Sequence, residues 1–451
     1  MYLPSDLTVQ QLRKEKPLLT KAIMAISCSS LEEKRSRADD LEKAISQASA
    51  ENTESGLDLL LCALTYVTWG FYQFIKTEMH CLRLPQLTVS LANELCLEKP
   101  IKFRSDEWPD GVPFLDQRGF DPGLPMDSAQ QSLEEERVIL GCFTIISIYS
   151  FKLNQMSPMR WTPQLGGYLN DVEKARQCPT DEILAIQVWL QLLIQQASEQ
   201  RNQWSQATTP GIAANFTEPF PSSLHFKTFR TKLQDIQASI PQNLREDKLV
   251  IAYLNEASIN IYETIYAAYL ESGHSSCRPL SPLHLLQCHL SSLEALDSWL
   301  NNFFAFPVSE YPDFNFGIWM QLMRCLTVLL RLSIPSDSGR DHQIVRKTAN
   351  VVVMADRALE SLHRASIYAK ETSPEDLFGI FCNITRSFRI HAVSQLRNAE
   401  QERAVSDAGN QIQEFCDTPE GALEWSLIEK MLTTDDNLTW DRFMKKSSEP
   451  S

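Results

Sequence analysis

Three places in this 451-residue chain set polar residues side by side as Mg²⁺-dependent diphosphate chemistry requires: Asp39-Asp40, Asn170-Asp171 and Asp435-Asp436. Clustered carboxylates hold the metal against the diphosphate in such sites, and an all-helical chain of this size is a fair host for them. None of the three completes the pattern. Asp39-Asp40 is followed by Leu-Glu-Lys, so the third aspartate of a D-D-x-x-D phrase is missing. Asn170-Asp171 has Lys174 and Cys178 where a hydroxyl and a glutamate are needed, and Asp435-Asp436 is followed by Asn437 and Leu438. The terpene-cyclase reading fails at each motif.

Thiols and imidazoles give no stronger signal. His284 and Cys288 fall one helical turn apart, with His289 beside them, so two ligands share a face. No second pair with matching spacing exists, and the plain reading is a polar helix flank. The eleven cysteines, at 28, 62, 81, 96, 142, 178, 277, 288, 325, 382 and 416, contain no C-x-x-C pair. They read as buried thiols of a reducing compartment rather than as a zinc site or a disulfide framework. Cys178-Pro179 has the form of a Cys-Pro haem phrase, but in a single copy just before a helix start, where proline is common. No Gly-rich phosphate loop is present, and no Ser/His/Asp or Cys/His arrangement emerges. The reading assigns no catalytic residue, metal or cofactor, and the chain is not read as an enzyme.

Composition narrows the class further. Apolar residues make up 43% and charged residues 22%, as in ordinary globular proteins, and the scarcity of glycine favours helix. A net charge of −15 opposes nucleic-acid binding by this chain, because displacing counterions from phosphates needs basic surface. The densest basic run, Arg13-Lys14-Glu15-Lys16, reads as a solvated helix end. Met1–Gln10 has no basic region followed by an apolar run, so no signal peptide is expected. The apolar segments Leu57–Trp69 and Val138–Phe151 fall short of the roughly 20 residues a membrane span needs.

These side chains are carried on helices. Pro17 opens an apolar-periodic helix, 31–50 forms a mostly polar one, and Leu57–Ile75 and Leu87–Leu97 make a pair joined by a polar bend. Proline and glycine crowd residues 100–131, which predicts a long loop. Leu133–Leu153 returns to helix, with Glu134, Glu135 and Glu136 expected in its first turn. Thr180 is expected to cap a helix reaching about Ala197, followed by a polar loop over 201–223. A clean amphipathic helix then runs from Phe226 to Ile240 and stops at Pro241. Leu249–Leu270, Phe316–Leu332 and Ile344–Tyr368 follow, and Ser281-Pro282, Ser373-Pro374 and Thr418-Pro419 each mark a helix start. The fold class is all-α, a large irregular multi-helix body. A tail over 1–16, the helical body over 17–399 and an acidic segment over 400–451 are its expected divisions.

Glu400–Asp441 holds eleven acidic residues against Arg403 and Lys430. Interleaved with them, Phe415, Trp425, Leu427, Ile428, Met431, Leu432 and Trp440 are the candidate partner-binding residues. Acidic–hydrophobic alternation suits an activation segment whose charge keeps apolar groups available to a partner groove. The plainer reading of the same pattern, and the favoured one, is an amphipathic terminal helix docking its apolar face on the body.

Several phrases also carry a resemblance. Leu57-Asp-Leu-Leu with Tyr66 and Trp69, then Leu87-x-x-x-Leu91-Ala92-x-x-Leu95, opens the series. Glu136-Arg137-x-x-x-Gly141-Cys142, Trp161-Thr-Pro with Tyr168-Leu169, and Cys178-Pro179-x-Asp181 continue it. Phe304-x-x-Pro307 through Tyr311 to Trp319, and Asp435–Trp440, complete it. In this order they resemble the regulatory (middle homology) region of fungal zinc binuclear cluster transcription factors. The resemblance implies a non-enzymatic nuclear regulator of transcription, often of a metabolic gene set. Its implied partners are the transcription machinery or a DNA-binding protein, a second copy as homodimer, and a small effector. That family carries six cysteines in a DNA-binding cluster ahead of this region, and no cysteine precedes Cys28 here. Either the gene or its model has lost the DNA-binding end, or the chain works through a partner that binds DNA. The alternative is a helical interaction or ligand-binding scaffold with no role in transcription.

Overall fold

The computed structural model describes residues 7–28, 31–50, 56–70, 78–98, 126–153, 156–207, 223–271, 282–334, 349–370 and 377–408. Among the described residues every regular element is helical and none is a strand. The chain divides into two compact units, Met1–Phe151 with Gln155–Val188, and Lys152–Asn154 with Trp189–Ser451.

The first unit begins with α1 (Val9–Glu15), α2 (Pro17–Ile26), α3 (Leu31–Ala50), α4 (Gly56–Trp69) and α5 (Glu78–Glu98). It continues with α6 (Met126–Leu153) and α7 (Pro163–Ala175), and takes in the first turns of α8 (Asp181–Ala207). α4 lies at its centre, packed on α2, α3 and α5, with every residue from Asp58 to Thr68 buried except Leu64. A helix apolar on all sides must be surrounded. α6 approaches it closely: a Cβ at Gly141 would sit 3.3 Å from Leu64 Cδ2, and the Tyr149 hydroxyl donates to the Val67 carbonyl at 2.7 Å.

Asp58, the one acid in this apolar helix, has a defined task. Its Oδ2 and Oδ1 accept the Leu18 and Leu19 amides, each at 2.9 Å, and so satisfy donors that proline-started α2 leaves open. The N-cap of α2, Lys16, makes no side-chain cap of its own. Asp58 is only 4% exposed, so its loss strands buried N–H groups. Asp58→Ala is expected to lower the unfolding free energy by about 2 kcal/mol, read from urea midpoints. An unchanged midpoint would remove this role.

Some sequence expectations are corrected here. α6 starts at Met126, inside the expected loop, so Glu134–Glu136 lie two turns into the helix rather than in its first turn. Position is set by tertiary partners instead: Glu134 pairs with Lys16, and Glu136 is buried. Lys16 is thus an ion-pair partner, while Arg13, Lys14 and Glu15 end α1 exposed as expected. α5 begins at Glu78 and passes through Pro85, well ahead of the expected Leu87. Leu84, Thr88, Leu91 and Ala92 form one buried face that carries the helix across the proline. α4 ends at Trp69, and residues 71–75 of the expected helix lie outside the described residues.

The second unit holds the rest of α8 and then α9 (Ser223–Ser239), α10 (Lys248–Glu271) and α11 (Pro282–Phe304). A 3-10 turn (Val308–Asp313), α12 (Phe316–Ser333), α13 (Val351–Ala369) and α14 (Leu377–Ala408) complete it. α8 extends to Ala207, into the expected loop, and α14 enters the expected acidic segment as far as Ala408. α10 and α11 pair lengthwise, as do α13 and α14, and α12 contacts α11, α13 and α14. Every residue of α12 except Arg331 is buried. Asn315 caps it through the Ile318 amide at 3.2 Å, and Asn350 caps α13 through Val352 and Val353. Ser373-Pro374 and Thr418-Pro419 lie outside the described residues.

His391 on α14 is buried, and burial holds its pKa below the ordinary histidine value. The fold favours the neutral ring, so the unfolded chain takes up the proton first as pH falls through about 6.5. This contribution to stability is complete above that pH and is lost below it. His391→Asn should therefore flatten the pH dependence of the melting temperature between pH 7.5 and 5.5. An identical slope in both proteins would contradict it.

Candidate functional site

Two phrases distant in sequence meet in the first unit. Arg137 on α6 donates from Nε to Asp181 Oδ1 at 2.8 Å and from Nη2 to Oδ2 at 3.1 Å. Nη2 also donates to Gln177 Oε1 at 3.3 Å, and Asp181 Oδ2 accepts the Cys178 amide at 3.0 Å. The Arg137 and Asp181 side chains are 14% and 1% exposed, so the carboxylate is desolvated and held by a bidentate partner. Burial alone would lower the guanidinium pKa, but the Asp181 hydrogen bond and charge more than offset this and raise it. Thr180 precedes α8 as expected and gives its carbonyl to the Leu184 amide at 2.9 Å. The clamp fixes the start of α8 against α6. It offers no nucleophile, since burial raises the pKa of the neighbouring Cys178 thiol against the opposing Arg137 charge.

The Trp161-Thr-Pro phrase sits beside it. Thr162 Oγ1 accepts the Leu165 amide at 3.3 Å to cap α7, Pro163 takes the first helical position, and Trp161 meets Phe143 edge-on at 5.0 Å.

The second unit contains an aromatic cluster and a buried polar seam. Trp319 stacks on Phe381 at 4.6 Å and meets Phe378 and Phe314 at 5.8 Å each. Phe303 stacks on Trp299 at 5.4 Å and lies 5.1 Å from Tyr311. Within the phrase from Phe304 to Trp319, Phe306, Tyr311, Phe314, Phe316 and Trp319 are core, while the residues between them up to Asp313 are mostly exposed. Along α10, Glu256, Asn260 and Glu263 fall at helical spacing and are all buried. Arg331 on α12 pairs with Glu263, while Arg324, 8% exposed, has its pKa pushed down to about 10 by burial against the opposing Glu256 charge. Charged residues at i and i+7 in an apolar helix were the signal that could have revealed this seam. Nothing in the spacing reveals the Arg137–Asp181 pair, 44 residues apart.

The other candidates are placed apart. Asp39 and Asp40 are exposed, with Asp40 against Lys43 at 3.8 Å. Asn170 and Asp171 are half-buried on α7, and Asp435-Asp436 lies outside the described residues. Cys288 and His289 are buried, which corrects the polar-flank reading; the His284 side chain is outside the described set. Burial pushes the Cys288 and Cys62 thiols up to about 12. The seven cysteines whose side chains are described are free, and among the described residues no His, Cys, Asp and Glu gather as a metal site requires. No described helix is long and apolar enough to cross a membrane. Phe415, Trp425, Leu427, Ile428, Met431, Leu432 and Trp440 all lie outside the described residues.

Known proteins resemble the chain along most of its length. A protein named transcription factor from Aspergillus terreus is 25% identical over 406 residues, covering 88% of this chain and 58% of its own length. Transcription factor opdL of Penicillium oxalicum is 25% identical over 361 residues, covering 79% and 61%. The chain thus spans about three fifths of the length of these curated relatives. A family model described as a C-terminal domain (ATEG07667_C) matches residues 308–448. No solved structure matches. The chain is thus similar over most of its length to fungal proteins named transcription factors, and over residues 308–448 to a family's C-terminal domain.

Proposed function

We propose that this chain is the regulatory body of a fungal-type transcription factor, acting in the nucleus without enzymatic activity to control a metabolic gene set. The observation that carries this is the similarity to transcription factors over 88% of the chain, which takes in both helical units rather than one shared motif. Its net charge of −15 speaks for contact with DNA through another protein, since the chain offers no broad basic footprint. The acidic segment 400–451, with Phe415, Trp425, Leu427, Ile428, Met431, Leu432 and Trp440, is where the transcription machinery or a DNA-binding partner attaches. A second copy of the chain is a further partner under this reading.

The chain fused to an unrelated DNA-binding domain should change the output of a reporter carrying that domain's site. Trp425→Ala with Trp440→Ala should reduce the change at least several-fold. A reporter indifferent to the fusion, at normal protein level, would favour the scaffold instead.

A further inference from the structure

The α13–α14 hairpin buries one side and leaves much of the other exposed, apart from Arg357, which lies over the Phe304 ring of α11 at 4.3 Å and donates to Asn301 Oδ1 at 3.3 Å. Val351, Ala355, Ala358, Leu362 and Ala365 form the core face of α13. On the opposite face, Val353, Arg357, Glu360, Arg364, Ile367 and Tyr368 recur at intervals of three and four. Val353, Ile367 and Tyr368 are 55%, 65% and 58% exposed, and Ile390 on α14 is 54% exposed. Of nine exposed large apolar residues among those described, four therefore sit on this hairpin. The Asp356–Arg389 ion pair ties the two helices side by side, which sets Val353 and Ile390 at the same end.

The surface is also basic within an acidic protein. Arg364, Arg386 and Arg397 are exposed on it, and Glu360 is the single acid of the α13 stripe. What covers such a face should be apolar and negatively charged. The segment beyond α14 has that composition, with eight acids against Lys430 over 411–441 and aromatic residues between them.

Connectivity favours the same chain over a second copy. The 43 residues after Ala408 follow directly from α14. Returning from Ala408 to Ile390 covers about 27 Å at 1.5 Å per residue, which about eight extended residues span. Trp425 to Trp440 are all within that reach. The family match over 308–448 also runs unbroken from the 3-10 turn through both hairpin helices into the segment, as one domain would.

We propose that segment 411–441 docks on the outer face of the α13–α14 hairpin. Its aromatic and aliphatic side chains cover Val353, Ile367, Tyr368 and Ile390, and its carboxylates face Arg364, Arg386 and Arg397. Docking and partner capture use the same segment; amide exchange tests docking alone, and the reporter tests partner capture alone.

Hydrogen exchange on the full chain is the test, with Ile367→Glu/Ile390→Glu and Arg364→Glu/Arg386→Glu as variants at exposed positions. In the parent, amides in 411–441 should exchange about tenfold more slowly than free chain. Both variants should lose that protection while α12 amides stay protected, and the charge-reversal pair keeps the test open if the glutamate pair unfolds. Free-chain exchange in the parent, or protection that survives both variants, would overturn the docking. Protection that grows with protein concentration alongside a dimer mass in light scattering would assign the face to a second copy and overturn it as well.

Discussion

Asp181→Ala is expected to lower the unfolding free energy by about 3 kcal/mol, a large share of the roughly 5–15 kcal/mol that holds a domain folded. The change removes both arms of the Arg137 fork and the acceptor of the Cys178 amide, and leaves a guanidinium 14% exposed that keeps its bond to Gln177 but loses its carboxylate. Much of the loss is the penalty for the stranded charge rather than the worth of the pair, so Arg137→Met with Asp181→Leu should recover a good part of it. A double-mutant cycle measures this: non-additivity above about 2 kcal/mol is the expected result. Additive losses would show that the two phrases are neighbours without energetic connection.

Trp319→Ala is expected to cost about 3–5 kcal/mol and to collapse the near-ultraviolet signal of the second unit. The indole is fully buried and touches aromatic rings from α11, α14 and the turn that precedes α12, so its removal leaves a cavity that three elements border. Trp189, 41% exposed, provides the contrast: its alanine variant should cost under about 1 kcal/mol. Urea denaturation of the two variants side by side separates core from surface. Equal losses would contradict the aromatic cluster as the centre of that unit.

Helices whose limits are written locally were legible in the sequence. Pro17, Pro282 and the stop at Pro241 fall where the structure has them, because proline's fixed φ and missing N–H act within one turn. Boundaries set by distant partners were not legible. Glu134–Glu136 have the composition of a first turn yet lie well inside α6, since Lys16 and the core hold them there. Pro85 has the composition of a breaker, yet α5 runs through it on its buried face. Asp58 was visible as an interruption of an apolar helix; that it caps α2 depends on contacts 40 residues away. The same holds for the site. The phrases Glu136-Arg137 and Cys178-Pro179-x-Asp181 were each readable, while the ion pair joining them exists only once α6 and α8 are packed.

If the chain regulates transcription, deleting its gene should shift a defined, functionally related set of metabolic genes together in transcript profiles against the parent strain. The intact chain should restore the set, and Trp319→Ala should not. A transcript profile unchanged across growth conditions would contradict it.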